Sequence, residues 1–417
     1  MNNSSFLHLF EGIGVELEYM IVDGETLSVL PVTDEILRSV AGKYTSEVEV
    51  QELCWSNELV LHVIELKTNG PVVNLEGLPG KFNEHVAMVN SLLAPMGGRL
   101  MPTSMHPWMD PGREMKLWPH DDSVIYETFH RIFDCRGHGW ANLQCSHLNL
   151  PFADDEEFAR LHAAVRLILP IIPAIAASSP MIEMKVTGLL DNRLDVYRKN
   201  ARQVPSITGR VVPEPVFSRK DYENEILDSI YRDMAPHDPE GILAYEWVNA
   251  RGAIARFERK TIEIRIVDIQ ECPLADLAIL AAIIEVIKHL VEERWCDLDS
   301  QMWWPTELLE SIMLDTMKDA EAAVISDRAY LESLGFTFSS CCSAGELWHH
   351  LAETIFSREN ESRILWEDPL RTIIDKGSLA RRIINAHGGD FSFEHTREIY
   401  TRLCESLDKG RMFSGEI

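Results

Sequence analysis

The chain has 417 residues, of which 46% are hydrophobic, and it carries a formal net charge of −27 at pH 7. This length excludes a small disulfide-stapled fold and fits one large domain or two ordinary ones. Nucleic acids and anionic membranes both require a basic protein surface, so the acidic charge argues against either as a partner. We expect the substrates to be small molecules.

The cysteines and the apolar segments predict a soluble, cytoplasmic protein. The eight cysteines form no CxxC pair and no Cys/His spacing typical of a metal site, which favours reduced thiols. Residues 1–5 lack the basic and apolar segments of a signal peptide. The most apolar run, residues 167–177, is far shorter than a membrane span and is interrupted by Pro170 and Pro173.

Hydrophobic periodicity predicts an α+β fold. The expected strands cover residues 12–23, 46–50, 57–68, 143–150 and 261–269. The expected helices cover residues 33–42, 73–96, 123–135, 158–176 with a break near its prolines, 274–294, 306–325, 344–356, 377–386 and 393–407. We therefore predict a catalytic core in residues 1–300 and a wholly helical C-terminal extension in residues 301–417 that packs on it.

Two of the expected strands carry charged residues on one face. Glu16 and Glu18 share a face of the first strand, and Glu263 and Arg265 share a face of the last one. Two adjacent acids on a strand face repel each other unless a cation lies between them. Taken alone, Glu263 and Arg265 are more typical of an ion pair. Together, the two strands predict a sheet face that holds Mg²⁺ and a phosphate.

Two other strands add candidates to this face. Glu65 is the stronger one, because Glu58 lies seven residues earlier and faces the opposite side of a regular strand. Glu58 reaches the same site only through a bulge or a turn. In the strand at residues 143–150, His147 and Asn149 share a face with Cys145. A single strand histidine is more often structural than functional, and Asn149 beside it strengthens the functional interpretation.

Residues 185–200 concentrate basic and amide side chains in a chain that is otherwise acidic. One interpretation is a solvated loop that offsets nearby acids, and the other is a loop that reaches over an anionic substrate. The sequence contains neither GxxxxGK[ST] nor GxGxxG, so a nucleotide would not be held by a Walker or Rossmann loop. A platform of sheet residues is the remaining way to hold it.

Several motifs occur in a characteristic order: GVELEYMIVD, HVIELKT, SMHPW, CSHLNL, AIAASSP and TIEIRIVDIQ. Over residues 12–290 the chain resembles the glutamate–cysteine ligase type 2 family, the carboxylate–amine ligases related to glutamine synthetase. The resemblance implies a glutamine synthetase-like twisted antiparallel sheet with helices outside it. It also implies ATP-dependent joining of a carboxylate to an amine through an acyl phosphate.

The resemblance also implies roles for individual residues. The metal-binding acids of the family correspond to Glu16, Glu18, Glu58, Glu65 and Glu263. Arg265 and His147 correspond to catalytic groups that face the phosphate or the metal. We assign Arg193, Arg198 and Arg256 to phosphates of the nucleotide or substrate, and His106, Asn149 and Tyr197 to substrate binding. Two positions depart from the family pattern, because SMHP replaces GTHP around His106 and Asn149 replaces the second histidine of His-x-His.

The leading hypothesis is an ATP- and Mg²⁺-dependent glutamate–cysteine ligase, an activity that belongs to glutathione biosynthesis. Another amine or amino acid could replace cysteine, because no sequence motif identifies the amine acceptor. A non-catalytic homologue that binds a nucleotide or amino acid, and a metal-dependent hydrolase, are alternatives of other classes. The sequence leaves open whether the chain forms a homo-oligomer and what the C-terminal extension does.

Overall fold

The computed structural model describes residues 6–356 and 363–415. The strands are β1 (Gly14–Asp23), β2 (Glu47–Val50), β3 (Leu53–Asn57), β4 (Val63–Thr68), β5 (Gly98–Met101), β6 (Cys145–Pro151), β7 (Met181–Ile182), β8 (Lys185–Val186), β9 (Ala253–Arg256), β10 (Thr261–Asp268), β11 (Val324–Ile325) and β12 (Cys342–Ser343).

Helices follow most strands and dominate the C-terminal part. They are α1 (Thr33–Ala41), α2 (Leu78–Leu93), α3 (Pro111–Glu114), α4 (Ser123–Phe133), α5 (His138–Ala141), α6 (Asp155–Ile168), α7 (Pro173–Ala176), α8 (Asn192–Asn200), α9 (Arg219–Tyr222), α10 (Asp228–Met234), α11 (Pro273–Val291), α12 (Leu298–Met302), α13 (Thr306–Asp319), α14 (Arg328–Ser333), α15 (Ala344–Ile355), α16 (Arg363–Lys376), α17 (Leu379–His387) and α18 (Phe393–Lys409).

One antiparallel sheet organises the molecule. Its strand order is β2-β3-β4-β1-β6-β10-β9, and β5 pairs with the C-terminal end of β1. The register sets Glu16 opposite both Lys67 and His147, and Glu18 opposite Glu65. Since side chains directly opposite each other in an antiparallel pair lie on the same face, the charged residues of four neighbouring strands project together.

The other face of the sheet is apolar and buried. Val15, Leu17 and Tyr19 of β1 are fully buried on this face and share one hydrophobic cluster with α2, α6 and α11. α11 is apolar on most sides, as expected for a helix enclosed between neighbours. Burying a leucine or isoleucine side chain stabilises the fold by about 1.5–3 kcal/mol, so this layer fixes the strand order and thereby the position of the charged face.

The C-terminal helices are joined to the rest of the chain by two hydrophobic clusters: α13 to α16 share the cluster described above, whereas α17 and most of α18 form a second one with Met20 and Val22 of β1. α15 and α16 pack on α11, and α18 packs on α2 and β5. The expectation of a wholly helical extension was wrong at one place, because α13 ends at Asp319 and β11 pairs with β12. The extension is thus packed on the rest of the chain, and the boundary at residue 300 stays a prediction.

The predicted break in the helix at residues 158–176 is present. α6 ends at Ile168, a 3-10 turn covers Leu169–Ile171, and α7 begins at Pro173, because proline cannot donate the backbone hydrogen bond that a helix interior needs. None of the helices in the described part of the chain has the length and apolar character needed to cross a lipid bilayer.

Candidate functional site

A cavity of about 740 Å³ lies over the charged face of the sheet. β1, β4, β6 and β10 form its floor, and α4, α5, α8 and the β9–β10 turn contribute to its walls. The residues predicted from the sequence that line this cavity are Glu16, Glu18, Glu58, Glu65, His147, Asn149, Arg193, Tyr197, Arg256, Glu263 and Arg265. Strands that are distant in sequence therefore bring eleven of the thirteen candidates together.

Three carboxylates, Glu18, Glu58 and Glu65, form what we call the acid cluster. One oxygen from each lies within 4.8 Å of the others. Burial, followed by the negative charge of Glu16, raises the pKa of Glu65 to about 8. Burial together with the charges of Glu18 and Glu65 raises the pKa of Glu58 well above its usual range. Lys67 Nζ lies 3.2 Å from Glu65 Oε2 and can offset one of the three negative charges that the ionised cluster would carry, and a bound divalent cation would offset the other two.

Glu58 reaches the acid cluster because the β-rich segment predicted at residues 57–68 is two strands and not one. β3 ends at Asn57, and the chain turns before β4 begins at Val63. The turn is fixed by the Leu61 amide, which donates to the Lys116 carbonyl at 2.9 Å. This turn supplies the change of direction that the seven-residue spacing requires.

Glu16 and His147 form a second group on the face. His147 Nδ1 lies 2.8 Å from Glu16 Oε2, and Asn149 Nδ2 donates to Glu16 Oε1 at 3.0 Å. Burial opposes ionisation of Glu16, but the hydrogen bond and charge of His147 outweigh it and hold the pKa of Glu16 well below its usual range. Ligand atoms of Glu16, Glu65 and His147 also lie within 4.8 Å of one another, so this group is a second candidate to hold a cation.

Glu263 is held by two arginines. Arg265 donates to Glu263 Oε1 from Nε at 3.1 Å and also from Nη2, and Arg256 Nη1 donates to Oε2 at 3.1 Å. Burial would raise the pKa of Glu263, but the charge of Arg265 outweighs it and lowers that pKa. Glu263 belongs to none of the three metal-ligand groups found among the described residues. We call Arg256 and Arg265 the arginine pair, a fixed positive charge on the cavity floor.

Arg193 lies on a helix, so the interpretation of residues 185–200 as a loop was wrong. Asp191 caps α8 by accepting from the Leu194 amide at 2.8 Å. The Arg193 side chain is buried, ion-pairs with Asp268, and donates from Nη1 to the Arg265 carbonyl at 3.3 Å. Its Nη2 has no hydrogen-bond partner among the described residues, although Arg193 lines the cavity beside Tyr197.

His106 and Arg198 do not line the cavity. His106 is completely buried; its Nε2 lies 2.7 Å from the Leu27 carbonyl, and its Nδ1 accepts from the Trp108 amide at 3.2 Å. Arg198 bridges helices, with Nη2 at 3.4 Å from Glu310 of α13. The contacts of His106 and Arg198 are with the surrounding protein and not with the cavity. The structure therefore does not place either residue in the substrate site that the sequence suggested.

Aromatic side chains form a wall of the cavity that the sequence analysis did not identify. Phe129 of α4 lies 5.3 Å from Trp140 of α5 and 6.0 Å from Trp247, measured between ring centroids. We call these three residues the aromatic wall. They come from separate segments, and periodicity identified none of them, because an aromatic residue on an amphipathic helix looks the same whether it faces a core or a cavity.

Cys145 was visible in the sequence but was not assigned a role. Its Sγ lies 3.1 Å from His147 Nε2 and 3.3 Å from Glu18 Oε2, and its backbone amide donates to the same Glu18 oxygen at 2.8 Å. The alternation of β6, which set Cys145 on the same face as His147 and Asn149, was the available signal.

The sequence profile of glutamate-cysteine ligase family 2 matches residues 12–406. The chain belongs to this family. The match confirms the family resemblance and extends it beyond residue 290 into the C-terminal helices, so these helices are part of the glutamate-cysteine ligase family 2 unit. Family membership supports a carboxylate–amine ligase.

Individual proteins similar to this family member are found in archaea and bacteria. An uncharacterized protein of Archaeoglobus fulgidus is 36% identical over 327 residues, which cover 77% of this chain and 87% of that protein. A protein of Bradyrhizobium sp. (strain ORS 278), provisionally named glutamate–cysteine ligase 2, is 26% identical over 280 residues. That match covers 64% of this chain and 59% of the Bradyrhizobium protein.

A solved structure shares the fold. The crystal structure of glutamate–cysteine ligase from Francisella tularensis in complex with AMP has a TM-score of 0.57 and 11% sequence identity, with 98% of this chain and 91% of that chain covered. This likeness, together with the antiparallel sheet and its outer helices, confirms the predicted α+β, glutamine synthetase-like class.

Proposed function

We propose that the protein is an ATP- and Mg²⁺-dependent carboxylate–amine ligase that joins the γ-carboxylate of glutamate to the amine of cysteine. The observation that carries this proposal is the pairing, on one cavity floor, of an acid cluster with excess negative charge and an arginine pair with fixed positive charge. The first suits divalent cations, and the second suits phosphate oxygens.

The proposed reaction has two steps. The γ-carboxylate of glutamate attacks the terminal phosphorus of ATP, and ADP leaves with the electrons of the broken bond. The amine then attacks the carbonyl carbon of the acyl phosphate, loses a proton, and displaces inorganic phosphate. With cysteine as acceptor the product is γ-glutamylcysteine, which connects the reaction to glutathione biosynthesis.

The residues present fit Mg²⁺, since the acid cluster offers an all-oxygen donor set, and the burial and repulsion that raise the pKa of Glu58 and Glu65 are what a bound cation offsets. Glu18, Glu58 and Glu65 would hold one ion, and Glu16 with His147 would take part in a second set. Bound Mg²⁺ would neutralise phosphate charge during transfer.

The cationic side chains have separate proposed roles. Arg265 lies on the cavity floor next to Glu263, which fixes its orientation, so its guanidinium can stabilise charge on the transferring phosphoryl group without reorganising. Arg256 is anchored by the same carboxylate and suits the nucleotide phosphates. Arg193 contributes Nη2, for which the described part of the chain offers no hydrogen-bond partner, to an anionic group of a bound substrate.

A second candidate is the same ligation with an aromatic or extended apolar amine in place of cysteine. The aromatic wall favours it, because three large rings and the neighbouring side chains of Leu143 and Val248 line the cavity. Apolar surface of this extent contributes binding energy only when the ligand buries an apolar group against it.

An ADP-release screen tests both candidates. The purified chain is incubated with ATP, Mg²⁺, glutamate and one amine from a panel that includes cysteine, alanine, phenylalanine and tyramine, and the amide product is identified by mass spectrometry. We expect ADP release that depends on both the acid and an amine. ADP release without an amide would favour a hydrolase. If glutamate gives no ADP release with any amine of the panel, the ligase proposal is wrong and a non-catalytic binding protein is favoured.

A further inference from the structure

Three side chains at the Glu18 end of the cavity combine a thiol, an imidazole and a carboxylate. Cys145 and His147 project from the same face of β6, and Glu18 comes from the neighbouring β1. Cys145 Sγ lies 3.1 Å from His147 Nε2 and 3.3 Å from Glu18 Oε2, and His147 Nε2 lies 3.7 Å from Glu18 Oε1. All three residues line the cavity.

These separations fit a tetrahedral ion. Zinc binds thiolate sulfur at about 2.3 Å and imidazole nitrogen or carboxylate oxygen at about 2.0–2.2 Å, so ligand atoms around one ion lie about 3.3–3.6 Å apart. The observed sulfur–nitrogen separation of 3.1 Å is shorter than this range, the separation of sulfur from Glu18 Oε2 is at its lower end at 3.3 Å, and that of nitrogen from the other oxygen, Oε1, is slightly above it at 3.7 Å. A zinc ion therefore requires only small adjustments of the three side chains, and the open side toward the cavity leaves a fourth position for water.

The second nitrogen of His147 supports the same geometry. Nδ1 lies 2.8 Å from Glu16 Oε2, so a carboxylate holds the proton on Nδ1, and Nε2 can offer its lone pair to an ion near Cys145 and Glu18 once its own proton leaves. A carboxylate that orients the far nitrogen of a histidine is a recurrent feature of zinc sites. Glu16 thus provides the outer contact that such a site needs.

The ligand type separates this group from the acid cluster. Mg²⁺ prefers oxygen ligands, whereas a thiolate selects softer ions such as Zn²⁺. We infer that Cys145, His147 and Glu18 form a site for a thiophilic divalent ion, and that zinc bound there inhibits the enzyme. On binding, the thiol proton of Cys145 and the Nε2 proton of His147 are released to solvent, and the freed lone pairs on sulfur and nitrogen form the bonds to zinc.

Zinc should inhibit because its ligands are shared with the Mg²⁺ sites. This inhibition rests on the proposed ligase function, but zinc binding at the site does not depend on that function. Glu18 belongs to the acid cluster, and His147 belongs to the group with Glu16 and Glu65. An ion held by Cys145 withdraws both side chains from the Mg²⁺ sites. Displacing it should need a large excess of Mg²⁺, because a hard cation competes for the shared side chains and gains nothing from the sulfur.

The alternative is a purely structural role, in which the Cys145 thiol only donates a hydrogen bond to Glu18. The variant Cys145→Ser separates the two, because a hydroxyl keeps that hydrogen bond and removes the soft ligand. Cys54→Ser is the matched control, since Cys54 lines the same cavity but belongs to none of the metal-ligand groups found among the described residues.

Direct binding is measured with the 417-residue chain, without reference to activity. Co²⁺, which occupies zinc sites, is added to the protein and to both variants, and the thiolate-to-cobalt charge-transfer band in the near ultraviolet is recorded. Zn²⁺ affinity is measured by competition with a chelating dye. We expect the band in the parent and in Cys54→Ser, its loss in Cys145→Ser, and Zn²⁺ binding weakened by more than about tenfold, the loss that removal of even an outer-shell partner causes.

Two results would overturn the inference. The first is a charge-transfer band that is absent from the parent or equally strong in Cys145→Ser. The second is Zn²⁺ affinity that Cys145→Ser does not change. Circular dichroism of each variant excludes unfolding as the cause, and Cys145→Ala provides a second variant if the serine protein is unstable.

Inhibition is measured in the ADP-release assay at saturating Mg²⁺, each variant being compared with its own zinc-free rate. We expect Zn²⁺ to inhibit the parent and Cys54→Ser alike, and Cys145→Ser to need more than about tenfold more Zn²⁺ for half-inhibition. Equal sensitivity of Cys145→Ser and the parent would contradict inhibition through this site. If no substrate pair gives turnover, the ligase proposal fails while the cobalt and dye measurements still decide the metal site.

Discussion

The acid cluster and the arginine pair lie on the same sheet face, yet their glutamates behave in opposite ways. Burial and the negative charge of Glu16 raise the pKa of Glu65 to about 8. Glu263 is also buried, but the charge of Arg265 lowers its pKa. The difference lies in the neighbours. A buried carboxylate among carboxylates attracts a cation, and a buried carboxylate between guanidiniums fixes two positive charges where an anion can bind.

The largest expected effect is that of removing a charge from the arginine pair. Arg265→Ala should lower turnover by about 10²–10³-fold, because a preorganised donor to developing charge is lost. Kinetics of ADP release measure the effect, and circular dichroism checks the fold. Arg259→Ala is the matched control, since Arg259 lines the cavity mouth but is exposed. A turnover close to that of the parent would remove Arg265 from the mechanism.

A smaller effect should distinguish the two kinds of glutamate. Glu65→Gln should raise the Mg²⁺ concentration for half-maximal activity by about 10–100-fold, because it removes a proposed ligand of the acid cluster. Glu263→Gln should lower turnover by releasing the arginine pair, with a weaker influence on the Mg²⁺ requirement. Titration of activity with Mg²⁺ in both variants measures this. Equal shifts would assign Glu263 to the metal ligands, as the family resemblance suggested.

The last prediction concerns stability, not activity, and lies outside the cavity. Burial lowers the pKa of His62 and His106 to about 4. Above about pH 6.5 both histidines are neutral whether the chain is folded or not. Below it only the unfolded chain takes up the protons, so the free energy of unfolding should fall by about 1.4 kcal/mol per pH unit for each histidine until about pH 4.

Urea unfolding between pH 4 and pH 7 measures this dependence. His106→Gln should reduce the slope of unfolding free energy against pH by the contribution of one histidine, about 1.4 kcal/mol per pH unit. The KM values of the substrates should not change. His349→Gln, on the exposed side of α15, controls for loss of a histidine as such. A change in a substrate KM with His106→Gln would return His106 to the substrate site.

Much of the site was predictable because its pattern is local. Alternation predicted that Glu16 and Glu18 share a face of one strand and that Glu263 and Arg265 share a face of a second strand. It also predicted that His147 shares a face with Cys145 and Asn149 in a third. The structure keeps each of these relationships. Glu58 required more, because only the turn before β4 brings it to the acid cluster, and a turn is not visible in strand parity.

The amino-acid sequence by itself determined which residues share a strand face, where prolines interrupt a helix, and to which family the chain belongs. The tertiary structure alone decided that β1, β4, β6 and β10 are neighbours, that Arg256 joins Arg265 in pairing with Glu263, and that His106 is enclosed. The physical reason is the separation along the chain of the residues that determine each feature. A face of a strand depends on adjacent residues, whereas strand order and burial depend on segments that are distant in the chain, such as β1 and β6, where Glu16 and His147 are 131 residues apart.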